Sequence, residues 1–193
     1  MITKEDAARR QLVTSIRLFF ENRDSISIHT LAQCAFMVLD NVCEKRGFSR
    51  FIEHMVEVNP SSNEEQIYKL AATYRNFFKH ADRDPDTFLQ DFDDDCNDHI
   101  LIIAVEDLAR LTGKLPVEAQ VFQLWYFSVY RERLNCEAYE RMIKSIENWF
   151  PEIQHIVRAE QKRLGREVLD RALALPELLD DPRTDITELA TWR

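Results

Sequence analysis

Glycine is scarce in this chain, and its scarcity limits the folds that the chain can form. Only 3 of the 193 residues are glycine, under 2 % of the total, whereas glycine usually makes up about 7 % of a protein. Barrels, sandwiches and dinucleotide-binding folds need glycine at their tight turns and phosphate loops. Three glycines are too few for such folds, and the sequence therefore predicts an all-α protein.

The composition is that of a globular protein, with 45 % hydrophobic and 31 % charged residues. A chain of this length forms one domain, or one domain with an extension. A protein of 22.8 kDa buries about 70 % of the surface of its unfolded chain, so it needs no disulfide or metal to stabilise it. The four cysteines form no C-x-x-C pair, which excludes a zinc ribbon or a thioredoxin motif.

Capping residues and the spacing of apolar residues divide the chain into helices. We predict an antiparallel bundle of four main helices in residues 1–113, and a helical extension over residues 114–193 that packs on the same domain. Thr3 with Asp6 is the predicted capping box of the first helix, and Gly47 is predicted to follow the end of the second. The predicted N-terminal caps of the second, fourth and seventh helices are Ser27, Ser61 or Ser62, and Asn135. The predicted helices cover residues 3–23, 27–46, 49–58, 63–80, 93–112, 116–130, 135–149 and 151–174, and Pro176 is expected to end the last of them.

The net charge of −9 comes almost entirely from one segment, because residues 81–113 carry 2 basic and 10 acidic groups. We therefore expect no broad, non-specific nucleic-acid binding. Residues 1–80, with 11 basic and 10 acidic groups, are compatible with a local basic patch. The aspartates of the acidic segment lack the glycine and glutamate of a calcium-binding EF-hand loop. Asp95 and His99, four residues apart, are only two potential metal ligands. The sequence therefore predicts that this cluster caps a helix and is solvated; its members are Asp91, Asp93, Asp94, Asp95 and Asp98.

Other chemically notable residues have simple structural interpretations. Cys34 and Cys43 lie among apolar residues and are expected to be small core residues. The aromatic stripe over residues 122–130 is expected in the core or in a subunit interface. Three histidines without an evident partner are expected at the surface or at helix caps: His29, His54 and His155.

The sequence favours a cytoplasmic protein with reduced thiols and no membrane contact. The first residues contain no apolar signal core. The longest strongly apolar run, from Ile100 to Val105, is far shorter than the roughly 20 residues that a membrane span needs.

One motif near the end of the predicted helix 63–80 is more specific. The segment Arg75-Asn76-Phe77-Phe78-Lys79-His80 resembles the Arg-x4-6-His motif of the HEPN superfamily, in the form in which asparagine follows the arginine. The resemblance covers residues 5–112, and residues 114–193 have no counterpart in it. It implies a compact helical bundle, commonly dimeric, of a family in which many members are metal-independent ribonucleases of toxin–antitoxin, phage-defence or RNA-processing systems.

The resemblance also implies roles for the residues of the motif. Arg75 and His80 would be catalytic, and Asn76 and Lys79 would bind substrate. Histidine suits proton transfer near neutral pH, and the planar guanidinium of arginine can hold two phosphate oxygens. No metal or other cofactor is expected, and the expected partners are RNA, a second copy of the chain, and an antitoxin or another protein.

The catalytic roles of Arg75 and His80 require a particular geometry, because the side chains of helical residues five positions apart point roughly 140° from each other. Arg75 and His80 reach one phosphate only if the helix ends between them or a second subunit contributes. The aromatic stripe and the apolar positions of the helix 151–174 also favour a homodimer. The alternative is a catalytically inactive helical scaffold or partner-binding module, in which these basic residues only favour the helix dipole.

Overall fold

The computed structural model describes residues 1–58, 63–82, 84–90, 92–134 and 136–187. This part of the chain is helical and contains no strand apart from one parallel bridge between Leu115 and Thr184, so the predicted all-α class is confirmed. The antiparallel, HEPN-like arrangement stays a prediction. The helices are α1 (Lys4–Phe20), α2 (Ser25–Arg46), α3 (Phe51–Val58), α4 (Glu64–Lys79), α5 (Cys96–Thr112), α6 (Val117–Val129), α7 (Cys136–Trp149), α8 (Arg158–Ala172) and α9 (Pro176–Leu179), with 3₁₀ turns at Arg131–Arg133 and Ile153–His155.

Helix α2 is the central element, packed against α1 on one side and α5 on the other. Its buried residues follow helical spacing and include Ala32, Phe36, Leu39 and Cys43. By length and composition α2 could cross a membrane, because its most apolar 18-residue window has a mean hydropathy of 1.3. Half of that window is buried inside the structure, as in the core helix of a globular protein.

Aromatic rings join α1 to α6. Phe19 packs edge-on against Phe122 and Trp125, with ring centroids 5.4 and 5.1 Å away, a geometry that aromatic pairs favour. The indole N–H of Trp125 donates to the carbonyl of Gln161 at 2.9 Å, which connects α8 to the same cluster. Phe122 and Trp125 are completely buried by their own chain, so the core interpretation of the aromatic stripe is confirmed for these two residues.

The helix ends confirm part of the capping analysis. Thr3 and Asp6 form the predicted capping box of α1, and Gly47 ends α2 in the left-handed conformation with φ of 76°. The predicted cap of α2 is wrong, because the carboxylate of Asp24 accepts the N–H of Ser27 at 2.8 Å and the helix starts at Ser25.

Helix α4 begins at a capping box formed by Asn63 and Gln66. The caps that the sequence predicts for α4 and α7, Ser61 or Ser62 and Asn135, lie outside the described residues.

The predicted start of the helix over residues 151–174 is wrong, whereas its end lies within two residues of the predicted one. Glu152 has a φ of 56°, and this left-handed residue prevents a helix from starting at Pro151. The chain passes through a 3₁₀ turn before α8 starts at Arg158. Pro176 occupies the first turn of the short helix α9, where proline is favoured, and α8 has already ended at Ala172.

The last described segment is hydrogen-bonded to the start of α6. The N–H of Leu115 donates to the carbonyl of Arg183 at 3.0 Å, and the N–H of Asp185 donates to the carbonyl of Leu115 at 2.9 Å. The carboxylate of Asp185 also lies 3.5 Å from Arg9 of α1. These contacts hold the segment against the helical core, and the division of the chain at residue 113 stays a prediction.

Gly165 allows α8 to lie directly against α1. A Cβ atom at this position would lie 2.2 Å from Cε1 and 2.4 Å from Cδ1 of the buried Phe20 ring, distances that packed atoms do not tolerate. The absence of a side chain at residue 165 therefore sets the separation of the two helices.

We expect Gly165→Ala to lower the free energy of unfolding by about 1–3 kcal/mol, since the new methyl group displaces the Phe20 ring. Helix propensity acts in the opposite direction by about 1 kcal/mol. Urea denaturation measures the difference, and the exposed neighbouring variant Arg166→Ala serves as the control. The double variant with Phe20→Leu should recover part of the loss, and a fully stable Gly165→Ala protein would contradict the close packing.

Asp107 connects α5 to the first turn of α3 from a completely buried position. Its Oδ1 accepts the backbone N–H of Phe51 at 2.7 Å, and its Oδ2 has no hydrogen-bond partner among the described residues. Burial raises the pKa of Asp107 to about 7, although the contact with Phe51 acts in the opposite direction.

The folded protein therefore holds the Asp107 proton more tightly than the unfolded chain, and stability falls as the pH rises from about 4 through 7. We expect wild type to lose about 2–3 kcal/mol more than Asp107→Asn between pH 5 and pH 8. Asparagine keeps the oxygen that accepts from Phe51 and does not titrate. Urea denaturation at the two pH values measures this, with the exposed variant Asp84→Asn as control. Equal pH dependence of wild type and Asp107→Asn would show that Asp107 is ionised throughout.

Candidate functional site

The motif residues lie at the C-terminal end of α4, and aromatic contacts hold this end in place. Tyr74 and Phe78, one turn apart on the inner face of α4, pack against the ring of His29 with centroid separations of 5.5 and 5.8 Å. Phe92 completes the cluster at 5.1 Å from Phe78. The neighbouring polar residues of the motif are exposed: Asn76, Lys79 and His80.

The first half of α4 is held by a polar cluster against α2. The hydroxyl of Tyr68 donates to the carboxylate of Asp40 at 2.7 Å and accepts from Arg50 at 2.8 Å. Arg50 also binds Glu64 of α4 at 2.9 Å and Glu53 of α3 at 2.8 Å. Burial raises the pKa of both Tyr68 and Asp40. The two ends of α4 are thus fixed by different interactions, one polar and one aromatic.

Arg75 lies beside a small cavity of about 140 Å³ between α2 and α4. Its Nη1 is 2.8 Å from the sulfur of Met37, and its Nε is 3.2 Å from the side-chain oxygen of Asn76. Within the described part of the chain, no carboxylate lies at ion-pair distance from this guanidinium. Arg75 therefore keeps an uncompensated positive charge at the surface of α4.

His80 is the first residue after α4, and its backbone is extended with φ of −126° and ψ of 124°. Its N–H still donates to the carbonyl of Asn76 at 2.9 Å, but its side chain leaves the helix. The imidazole is 55 % exposed, and its Nδ1 lies 3.9 Å from Asp82. The helix therefore ends between Arg75 and His80, which meets one of the two conditions for their convergence. Among the described residues, no hydrogen bond joins the two side chains.

The predicted solvation of the aspartate cluster is wrong for two of its members. Asp98 is completely buried, and Arg158 of α8 donates to both of its oxygens, at 2.5 and 2.6 Å. Asp94 binds Arg158 at 3.0 Å and also contacts Lys162. Burial raises the pKa of Asp98 to about 6, and its contact with Arg158 opposes that increase. Sequence patterns missed these ion pairs because Arg158 and Lys162 lie about 60 residues after the aspartates that they bind.

The remaining aspartates keep the predicted exposure where the structure describes them. Asp93 and Asp95 are exposed, although Asp95 lies 3.3 Å from Arg158 and caps α5 without a side-chain hydrogen bond. Asp91 lies outside the described residues. Near His80, Asp82 and Asp84 are also exposed, so the surface after the motif stays acidic.

The surface interpretation is wrong for His29, which is 2 % exposed. Its Nδ1 lies 3.1 Å from the side-chain oxygen of Asn97, and burial lowers its pKa. The signal was present in the sequence, since His29 lies three and seven residues before Ala32 and Phe36 on the buried face of α2. His54 and His155 are exposed as predicted.

The expected core position is correct for Cys43 and wrong for Cys34, which is exposed. Cys34 lies on the face of α2 that turns away from α1 and α5. The apolar residues that neighbour Cys34 in sequence point to the other side of the helix.

Asp95 and His99 are directed to different partners. Asp95 faces Arg158, whereas Nδ1 of His99 lies 3.2 Å from the hydroxyl of Tyr126. Within the described ranges, no group of three or more histidine, cysteine or acidic side chains could hold a metal ion.

The end of α4 thus carries an arginine that lies against α2 and has no acidic partner among the described residues, and an exposed amide, lysine and imidazole at Asn76, Lys79 and His80. These are the groups that bind a phosphate and move a proton. No protein-family model matches the chain, and no curated protein and no solved structure matches it. The resemblance to the HEPN superfamily therefore depends on the residues of the motif.

Proposed function

We propose that this chain is a metal-independent endoribonuclease of the HEPN type, with its active site around Arg75 and His80. The observation that carries the proposal is the end of α4 between these two residues. The extended backbone at His80 frees the imidazole from the helix, and Arg75 retains a charge that no carboxylate of the described residues neutralises. An RNA phosphate is an anion that such a pair can bind.

The proposed reaction uses the 2′-hydroxyl of the RNA as nucleophile. This oxygen attacks the adjacent phosphorus, the bond to the 5′-oxygen breaks, and the products are a 2′,3′-cyclic phosphate and a 5′-hydroxyl. His80 transfers a proton, and Arg75 stabilises the charge that develops on the phosphate oxygens. Asn76 orients the ribose, and Lys79 adds positive potential.

A homodimer completes this site in the proposal. The reaction needs one group to remove a proton from the 2′-hydroxyl and another to protonate the leaving 5′-oxygen. One chain offers a single imidazole at the end of α4, and a second copy supplies another. Phe77, which is 38 % exposed within the motif, provides apolar surface for contact between the copies. The aromatic stripe is no longer an argument for the dimer, because Phe122 and Trp125 are buried within one chain.

One observation favours the alternative, a partner-binding module without catalysis. Phe88 is 90 % exposed and follows the exposed acidic residues Asp82, Asp84 and Asp86. An exposed aromatic ring beside like charges fits a basic protein partner, and an antitoxin is one such partner. The same acidic residues oppose the approach of RNA to His80.

We expect His80→Ala and Arg75→Ala each to reduce RNA cleavage by about 10²-fold or more, the range for loss of a general acid–base or of a charge-stabilising group. Incubation of purified protein with mixed RNA, followed by electrophoresis, measures this loss. His54→Ala and Arg166→Ala are matched controls, because both residues are exposed and lie on other helices, α3 and α8. EDTA should have no effect, and DNA should resist because it lacks the 2′-hydroxyl.

Two results would contradict the proposal. Cleavage that persists in both motif variants would place the activity elsewhere, and wild-type protein inactive towards several RNAs would favour the partner-binding module. Light scattering tests the dimer, since a monomer at micromolar concentration would remove the second imidazole from the mechanism. Circular dichroism should show unchanged helicity in all variants.

A further inference from the structure

A second site lies away from the motif, in a cleft over α5 that no part of the proposed function uses. The cleft has a volume of about 890 Å³, within the range of about 300–1,000 Å³ found for small-molecule sites. Helices α3 and α4 form one wall, and α6, α7 and the 3₁₀ turn after α6 form the other. The term α5 cleft denotes this space below.

Apolar side chains form half of the lining of the α5 cleft. Phe51 and Met55 of α3, Ile102 of α5, Phe127 of α6 and Met142 of α7 all line it. An apolar surface of this extent binds a hydrocarbon or aromatic group through the hydrophobic effect. Polar residues form the other half of the lining. Apart from the exposed His54, they form two groups, whose arrangement decides which head group the apolar part of a ligand carries.

One polar pair is already satisfied within the protein. Glu106 accepts from Arg110 at 2.8 Å and from Gln123 at 2.6 Å, so both of its oxygens are occupied. Arg110 is neutralised by the same contact and lies over the ring of Phe51 at 4.9 Å. This pair therefore offers a ligand no net charge.

The other polar group is a chain of donors formed by Arg133, Tyr126 and His99. Nη1 of Arg133 donates to the Tyr126 hydroxyl at 2.8 Å, and that hydroxyl lies 3.2 Å from Nδ1 of His99. Nη1 of Arg133 also lies 3.4 Å from the same Nδ1, and since a guanidinium only donates, we assign Nδ1 as the acceptor. Because Nδ1 accepts, the proton of the neutral ring is on Nε2, which is a donor. Burial and the charge of Arg133 lower the pKa of His99 to about 4, so the ring is neutral at pH 7.

This end of the cleft thus presents hydrogen-bond donors, the positive charge of Arg133 and the exposed carboxylate of Glu132. The nearest acid of Arg133 is Glu132, whose carboxylate is 71 % exposed and 3.9 Å from Nε, a surface contact that contributes little. One arginine beside one neutral imidazole matches a single negative charge better than a doubly charged phosphate.

We propose that the α5 cleft binds a small amphipathic carboxylate, with its head group at Arg133 and His99 and its apolar part along α3 and α6. The site is separate from Arg75 and His80, and it does not depend on the proposed ribonuclease activity. A carboxylate accepts hydrogen bonds from both donors, and its tail replaces water against the apolar walls.

The four methionines provide a direct test by NMR of the full chain labelled with ¹³C at the methionine methyl groups. Met55 and Met142 line the α5 cleft, whereas Met37 lies at the α2–α4 cavity and Met1 at the exposed terminus. Titration with decanoate should shift the Met55 and Met142 signals in a saturable way and leave the other two unchanged. Shifts at all four methionines, or no shift at millimolar decanoate, would overturn the proposal.

The head group is tested with charge variants. We expect Arg133→Gln to weaken decanoate binding by about tenfold or more, the effect of losing a hydrogen bond from a charged donor. Arg163→Gln, an exposed arginine on α8, should leave the affinity unchanged. Decylammonium, with the same tail and the opposite charge, should bind more weakly than decanoate. Equal affinity for both probes, unchanged in Arg133→Gln, would show that the cleft does not recognise an anion.

Discussion

The ion pair between Arg158 and Asp98 is the interaction on which the rest of the structure depends. It joins α8 to the first turn of α5, with Asp98 completely buried. The guanidinium also lies over the rings of Phe19 and Trp125, 5.1 and 5.4 Å from their centroids. Loss of the Arg158 charge would leave the Asp98 carboxylate uncompensated in the interior, which costs about 3–5 kcal/mol. One arginine thus holds together elements α1, α5, α6 and α8.

Residues in contact with this ion pair, or next to it in sequence, also contact residues that support the two proposed sites. Tyr130 donates to Asp98 at 2.9 Å, and Tyr130 and Tyr126 lie under the guanidinium of Arg133, the charged group of the α5 cleft. On the other side, Asn97 binds His29, and the His29 ring supports the end of α4. The start of α5 therefore positions both sites, although the motif lies on α4 and most residues of the α5 cleft lie on other helices.

Local rules predicted the helices well and their long-range contacts poorly. The capping box at Thr3, the left-handed Gly47 and the end of α4 at the motif all depend on residues within one turn of each other. The burial of Asp98 and the partial burial of Asp94 depend on Arg158 and Lys162, about 60 residues away. Charge density alone indicates solvated aspartates, since an acidic cluster is normally exposed unless cations from elsewhere in the chain neutralise it.

The sequence by itself determined the helical class, most helix boundaries and the motif Arg75-Asn76-x3-His80, because glycine content, caps and periodicity act over a few residues. Only the tertiary structure decided which side of a helix is buried where the pattern is ambiguous, as for Cys34 in α2. It also created the α5 cleft, whose walls come from five separate helices. A cavity is the space left between packed elements, and no local pattern specifies the distance between helices that meet only in the folded chain.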